Sequence, residues 1–328
     1  MESLSEHLDF SALRAWVLSD GKAGHLNQSL GVADAMGLTP QIVILEARRF
    51  GNAFGFIDPR LAVKNLPPPP YPDVVIGTGA LTALVARHIK MTNPRTFTVQ
   101  LMSPRRDYWA YDVVAAPLHD SLPARPNIIR TLGAPNRLTP ARLAEAAERW
   151  RPAFAHLPPR CLAVLVGGTS RRYAFTPQKA AALAEAVADL AKRQNMGLLI
   201  TVSRRTGPEA AAVLKEKLGG PATFFWDGTG DNPYMGFLAL ADAMVVTADS
   251  VSMVSDACSV GGKPVYVFDM AAPELGKFVN LFEALKQQDR VRPLGAAWFN
   301  ANPQPLADAQ RVAGHARALY LRTRLASA

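Results

Sequence analysis

Short apolar runs alternate along this chain with longer stretches in which alanine and leucine recur at helical spacing. The pattern predicts strands near residues 14–18, 41–45, 73–76, 96–100 and 112–116, and helices near 25–36, 79–91 and 139–149. Thr139-Pro140 is a good start for the last of these helices, with Thr as N-cap and Pro at the first helical position. Residues 151–159 contain Pro152, Pro158 and Pro159 and show no period, which reads as a linker. After it the alternation restarts. Strands are predicted at 161–166, 197–203, 222–226, 243–247 and 264–268, and helices at 178–193, 208–218, 233–241, 250–260 and 276–287. An Ala/Leu/Arg helix closes the chain over about 306–325.

Such alternation is the signature of α/β proteins built on parallel sheets. The expectation is two doubly wound, Rossmann-like domains facing a cleft. Residues 1–150 form an N-terminal domain, 151–159 a linker and 160–305 a C-terminal domain. Residues 306–328 add a helix of the kind that packs back across the hinge in two-domain folds.

A glycine-hinged loop follows the first strand of each half. The first reads Ser19-Asp20-Gly21-Lys22-Ala23-Gly24-His25-Leu26-Asn27-Gln28, and the second Gly167-Gly168-Thr169-Ser170-Arg171-Arg172-Tyr173. A strand that turns through glycine into a helix leaves backbone N–H groups open to anions. In the first loop Gly21 and Gly24 permit the turn, Lys22 is a mobile cation, and His25 suits proton transfer near neutral pH. Asn27 and Gln28 either bind a ligand or satisfy backbone groups at the helix start. In the second loop Arg171 and Arg172 offer forked phosphate contacts beside two glycines and two hydroxyls.

Two further turns belong to the same edge. Ser203-Arg204-Arg205-Thr206-Gly207 follows the next strand, and in a parallel sheet it points the same way as Gly167. Thr247-Ala248-Asp249-Ser250-Val251-Ser252-Met253 follows Met244-Val245-Val246 and leads into a helix. Its hydroxyls suit a phosphate at a helix N-terminus, and either Asp249 or Ser250 would serve as a cap. Asp256 lies about two turns into that helix, within range of a ribose or sugar hydroxyl. Gly77-Thr78-Gly79 begins a dinucleotide pattern, but Thr82 stands where its third glycine belongs. Gly261-Gly262-Lys263 runs into Pro264 and is no P-loop. His119-Asp120 reads as a strand-end polar pair and not as part of a metal site.

Composition narrows the classes. The 328 residues suffice for two cores, and the net charge of +9 is spread over both halves. That charge suits a phosphate-bearing ligand, an anionic membrane surface or simple solubility. No nucleic-acid module, membrane-spanning run or metal motif of two aspartates flanking one residue is present. Glu2, Glu6 and Asp9 occupy a start that lacks an apolar signal core, which argues against export. Cys161 and Cys258 sit in or beside apolar segments, as reduced, buried thiols do.

Taken together, residues 19–25, 167–170, 203–206 and 249–253 resemble the mitochondrial fission family typified by a plant "elongated mitochondria" protein. The resemblance spans nearly the whole chain, and without an extended targeting segment it is to a bacterial member. That family is in turn similar to GT-B glycosyltransferases, above all the peptidoglycan enzyme that adds N-acetylglucosamine to a lipid-linked acceptor. There, a His-ending glycine loop resembles Gly21 to His25, a Gly-Gly-Ser/Thr loop resembles Gly167 to Ser170, and an acidic ribose contact has Asp256 as its nearest match. This chain departs from the pattern in having fewer glycines in the first loop and Asp in place of Glu at 256. An epimerase label fits poorly, because the dinucleotide fingerprint and a Tyr-x-x-x-Lys pair are missing.

The resemblance implies a cytoplasmic protein, peripheral to the inner membrane if its acceptor is lipid-linked. It would bind a nucleoside-diphosphate sugar and transfer the sugar without metal or other cofactor. His25 or Asp20 would deprotonate the acceptor, and Arg171, Arg172, Arg204 and Arg205 would stabilise the leaving diphosphate. The competing class is a recruitment protein that keeps the fold without the chemistry.

Overall fold

The computed structural model describes residues 8–48, 58–118, 120, 122–170, 173–276 and 278–325. Its strands are β1 (Ala15–Ser19), β2 (Gln41–Ile44), β3 (Val74–Thr78), β4 (Phe97–Leu101), β5 (Val113–Pro117) and β6 (Ile128–Thr131), followed by β7 (Cys161–Val166), β8 (Gly197–Val202), β9 (Thr223–Trp226), β10 (Ala243–Thr247), β11 (Val265–Phe268) and β12 (Val291–Pro293). The helices are α1 (Ala23–Met36), α2 (Ala80–Thr92), α3 (Pro140–Trp150), α4 (Pro177–Gln194) and α5 (Pro208–Leu218), then α6 (Tyr234–Leu240), α7 (Val251–Val260), α8 (Phe278–Gln287) and α9 (Asp308–Leu325). Two units result. Leu138–Leu306 forms the second, and the chain on either side of it, up to Arg137 and from Ala307, forms the first.

The first unit is a six-stranded parallel sheet in the order β2-β1-β3-β4-β5-β6. Alternation along each strand sends side chains to opposite faces. Val17, Ile76, Val99 and Val113 pack with Val32 and Met36 of α1 and Val312 and Ala316 of α9. Leu18, Val75 and Val114 pack on the other side with Val85, Ala86 and Ile89 of α2. The closing helix α9 is thus part of the first unit. Buried Asp308 anchors its start by accepting the N–H groups of Leu132 at 3.2 Å and Gly133 at 2.7 Å.

The second unit repeats the plan in the order β12-β11-β10-β7-β8-β9, again all parallel. Its helix starts follow the sequence signals. Thr139 caps α3 and Thr176 caps α4, each followed by Pro at the first helical position. The boundary differs from the expectation. Residues 138–159 belong to the second unit, because Phe154 is buried in an aromatic cluster with Trp150, Phe224 and Phe237, at ring-centroid distances of 5.9, 4.9 and 5.5 Å. The proline-rich segment is therefore a packed turn of that unit and not a spacer. The edge strands β6 and β12 escaped the sequence reading. They are short and carry Arg130, Arg292 and Pro293, which mask a strand period.

Cys161 and Cys258 are both buried and unpaired with each other, and burial pushes the two thiols up to about 11 and about 12.

Strand order reverses beside the first strand of each sheet. β1 lies between β2 and β3, and β7 lies between β8 and β10. Connections leaving β1 and β3 therefore diverge, as do those leaving β7 and β10. Doubly wound sheets bind ligands at the carboxyl ends of such strand pairs.

Candidate functional site

In the first unit, the Ser19–Lys22 turn joins β1 to α1. Gly21 has φ +79° and its N–H donates to Ser19 Oγ at 3.2 Å. Asp20 is nearly enclosed, with 4% of its side chain exposed, and its Oδ1 accepts the Lys22 N–H at 3.3 Å. Its Oδ2 faces His25 Nδ1 at 3.0 Å and pairs with Lys22 Nζ. Burial pushes the Asp20 carboxyl up, but the hydrogen bonds from His25 and Lys22 outweigh it and hold the group at about 2. Asp20 is thus a fixed anion that orients the imidazole through Nδ1 and leaves Nε2 for exchange.

The His25 ring lies over the turn between β3 and α2. A Cβ built on Gly79 would stand 2.8 Å from His25 Cε1. Below this contact, Ser29 Oγ and Thr78 Oγ1 meet at 2.7 Å in the buried interior. The rejected Gly77-Thr78-Gly79 pattern is therefore the neighbour of His25. The signal that could have found it is a glycine standing between an apolar strand and a helix. Gly24 is exposed, and Asn27 and Gln28 are half-buried on α1, where their side chains make no hydrogen bond among the described residues.

In the second unit the turns after β7, β8 and β10 form one cluster. Gly167 N–H donates to Thr247 Oγ1 and Gly168 N–H to Asp249 Oδ2, each at 2.8 Å. The Gly167 carbonyl accepts from Thr206 Oγ1 at 2.6 Å and also from Ser203 Oγ. Thr169 N–H donates to the Arg205 carbonyl at 2.8 Å. The glycines are needed for this packing. A Cβ on Gly167 would lie 2.4 Å from Asp249 Oδ2, and one on Gly168 would lie 2.1 Å from the Arg205 carbonyl carbon. These N–H groups were expected to face a ligand, and in the structure they hold neighbouring turns together.

The Arg204-Arg205 pair divides. Arg205 Nη1 pairs with Asp249 Oδ2 at 2.8 Å and reaches the carbonyls of Gly168 and Thr169 at 3.3 and 3.4 Å. Arg204 is exposed, with no hydrogen bond or ion pair among the described residues. The Asp249 side chain is wholly buried, and burial pushes its carboxyl above the usual range against the pull of the Thr247 hydroxyl, Arg205 and the Gly168 N–H. It does not cap α7. That position belongs to Ser250, whose side chain makes no capping bond, so the amides of Val251, Ser252 and Met253 stay open as at any uncapped helix start.

Asp256 is buried on α7 and its Oδ2 accepts the Tyr234 hydroxyl at 2.9 Å. Sequence reading missed Tyr234, which nothing in the local pattern ties to α7. It also missed the support beneath the second loop. Ser170 N–H donates to the Tyr173 carbonyl at 2.7 Å and Tyr173 N–H to Ser170 Oγ at 3.2 Å, Tyr173 Oη donates to Asp269 Oδ2 at 2.9 Å, and Lys179 Nζ reaches the same oxygen at 2.7 Å. Arg171 and Arg172 lie outside the described residues, as does His119. No group of three metal-ligating side chains occurs among the described residues, and none of their helices is long and apolar enough to cross a membrane.

Residues 23–320 match the family described as Mitochondrial fission ELM1. The mitochondrial fission protein ELM1 of Arabidopsis thaliana is 33% identical over 230 residues, covering 60% of this chain and 51% of that protein. The chain thus spans about half the length of that relative. An uncharacterized protein of Rickettsia prowazekii is 25% identical over 298 residues, covering 78% of this chain and 83% of the relative. Among solved structures, a Listeria monocytogenes protein assigned as a UDP-N-acetylglucosamine 2-epimerase aligns over 95% of both chains with a TM-score of 0.51 at 12% identity. That likeness bears on the fold, which is the GT-B-like pairing of two doubly wound units.

Proposed function

We propose that this chain, which belongs to the mitochondrial fission ELM1 family, binds a nucleoside-diphosphate sugar on its second unit and transfers the sugar to an acceptor without a metal ion. The observation that carries the reading is the strand-order reversal between β7 and β10. There an uncapped helix start, the hydroxyls of Ser250 and Ser252 and the unpaired Arg204 belong to adjoining turns. Helix N-terminal amides and a guanidinium are the groups that bind a diphosphate. Gly167, Gly168, Thr169, Ser170, Ser203 and Arg205 shape this edge, and Arg171 and Arg172 belong to the same loop in sequence. Asp256, oriented by Tyr234, would receive the ribose.

On the first unit, Asp20 fixes His25 as the base for the acceptor hydroxyl, with Gly21, Lys22, Gly24, Asn27 and Gln28 around it. The basic surplus suits an anionic acceptor, a lipid-linked one included. The test is a thermal-shift screen with UDP, GDP, CMP and their sugars, followed by calorimetry on the best ligand. Stabilisation by one nucleotide class, lost in Arg204→Ala, supports the reading; no stabilisation by any would end it.

A second reading has its own observation. The match to the Arabidopsis fission protein favours a recruitment protein that keeps the fold and has no transferase activity. Ligand binding without turnover would select it.

A further inference from the structure

The Asp249 carboxylate is a costly charge in the second unit. It has no solvent exposure, yet it stands at the sheet edge where the proposed ligand brings phosphate charge. Its Oδ2 is held by Gly168 N–H and by Arg205, each at 2.8 Å. Its Oδ1 is buried with no hydrogen-bond partner among the described residues, and it faces Gly167, where a Cβ would lie 2.5 Å away. A buried carboxylate with one bare oxygen is unfavourable, and a second anion arriving beside it adds like-charge repulsion. A proton on the carboxyl relieves both.

The neighbouring groups do not supply that relief. Arg205, from the turn after β8, is already paired and 43% exposed. Tyr173, from the loop after β7, couples to Asp249 only through space, and its hydroxyl is committed to Asp269, which also binds Lys179. Thr247 at the end of β10 and Ser250 at the head of α7 bring hydroxyls and no charge; the Thr247 hydroxyl pulls the carboxyl down, but burial outweighs it.

We propose that anion binding at this edge is coupled to the uptake of one proton by Asp249, which acts as a positioning residue. The inference rests on the nucleoside-diphosphate reading above. Without ligand, Asp249 is charged and paired with Arg205. With ligand, the carboxylate takes a proton from solvent, a single O–H bond forms, and Oδ2 goes on accepting from Gly168. Arg205, relieved of its carboxylate, can turn toward phosphate. The burial that already pushes this carboxyl up acts in the same direction. The complex holds one more proton than the free protein, so affinity is highest at low pH. The Kd rises about tenfold per pH unit between the free and bound titrations.

The test is calorimetry of the intact protein with UDP-glucose and GDP-mannose, whose diphosphate diesters carry no phosphate proton that titrates in the range used. Titrations run from about pH 5 to about pH 8, in paired buffers of different ionisation enthalpy. The expected result is uptake approaching one proton per site and a Kd that climbs with pH. Asp249→Asn should take up no proton and bind with a flat pH profile near the wild-type low-pH limit. Binding with no proton exchange overturns the proposal and leaves the nucleotide-sugar reading standing. Absence of binding by the folded wild type to either sugar overturns both. If Asp249→Asn does not fold, the wild-type proton count decides alone.

Discussion

Asp20 and His25 are joined at the head of α1, Oδ2 to Nδ1 at 3.0 Å, with Lys22 on the same oxygen. The Asp20 carboxyl is held down from 3.8 to about 2. A depressed acid contributes stability above its unfolded pKa and loses it as pH falls through its folded one. The contribution should therefore be complete above about pH 4 and gone below about pH 2. Two-thirds of the Lys22 side chain is exposed, so its share is screened and the total should be about 1–2 kcal/mol. Denaturant unfolding across this range should show less acid loss in Asp20→Asn than in wild type. Equal acid loss in the two proteins would show that the pair does not contribute.

Gly79 predicts a different failure of the same site. Its φ of +92° and the His25 ring 2.8 Å from a would-be Cβ leave no room for a side chain. Gly79→Ala should cost about 1–2 kcal/mol in backbone strain and push the imidazole off Asp20. The imidazole NMR signals of His25 should shift between Gly79→Ala and wild type. Unchanged signals would mean that the ring does not depend on this turn.

What the sequence made legible was local. The apolar runs and the Thr139-Pro140 helix start stand where their residues predicted them, and the polar turns follow the strands they were read to follow. What it hid depended on strand order. Asp249 reads, beside Ser250, as a candidate helix cap because its near neighbours are helical. It instead reaches Gly168, which becomes its neighbour only once β10 has paired with β7. The same holds for Gly79 and His25, brought together by the pairing of β1 with β3. The glycines were legible as necessary, but their reason was not: Gly168 makes room for the backbone of Arg205, 37 residues along the chain.

The divided arginine pair should separate binding from stability. Arg204 is exposed and unpaired among the described residues, so Arg204→Ala should leave stability within about 0.5 kcal/mol. It should weaken nucleoside-diphosphate binding by about 1.5–3 kcal/mol, the range for a charge-assisted contact. Arg205→Ala strands a wholly buried carboxylate and should cost about 1–3 kcal/mol of stability, reduced from the fully buried case because Arg205 is 43% exposed. Thermal unfolding and calorimetry on both variants decide this. Equal effects of the two substitutions on both measurements would contradict the division.

Nucleotide binding should survive a chelator. The proposed edge offers helix-terminal amides and Arg204 for the diphosphate charge, and no cluster of metal ligands stands among the described residues. The Kd measured by calorimetry in excess chelator should match that in magnesium. Loss of binding in the chelator, recovered with magnesium or manganese, would mean that the site is built around a metal ion.

His25 should govern turnover and leave nucleotide affinity alone. It belongs to the first unit, whereas the proposed diphosphate groups belong to the second. Asp20 occupies its Nδ1, so the proton exchanged with an acceptor passes through Nε2. General-base catalysis of this kind contributes roughly 10²–10⁴-fold. His25→Ala should lower the rate of sugar transfer, or of slow donor hydrolysis, within that range while the Kd for nucleotide stays at the wild-type value. Asp20→Asn should fall between the two, since the imidazole remains but loses the carboxylate that orients it. Equal rates in wild type and His25→Ala would remove His25 from the chemistry. Intact nucleotide binding with no turnover across a broad panel of donors and acceptors would favour the recruitment protein, because the second unit would then bind a ligand that nothing in the first unit consumes.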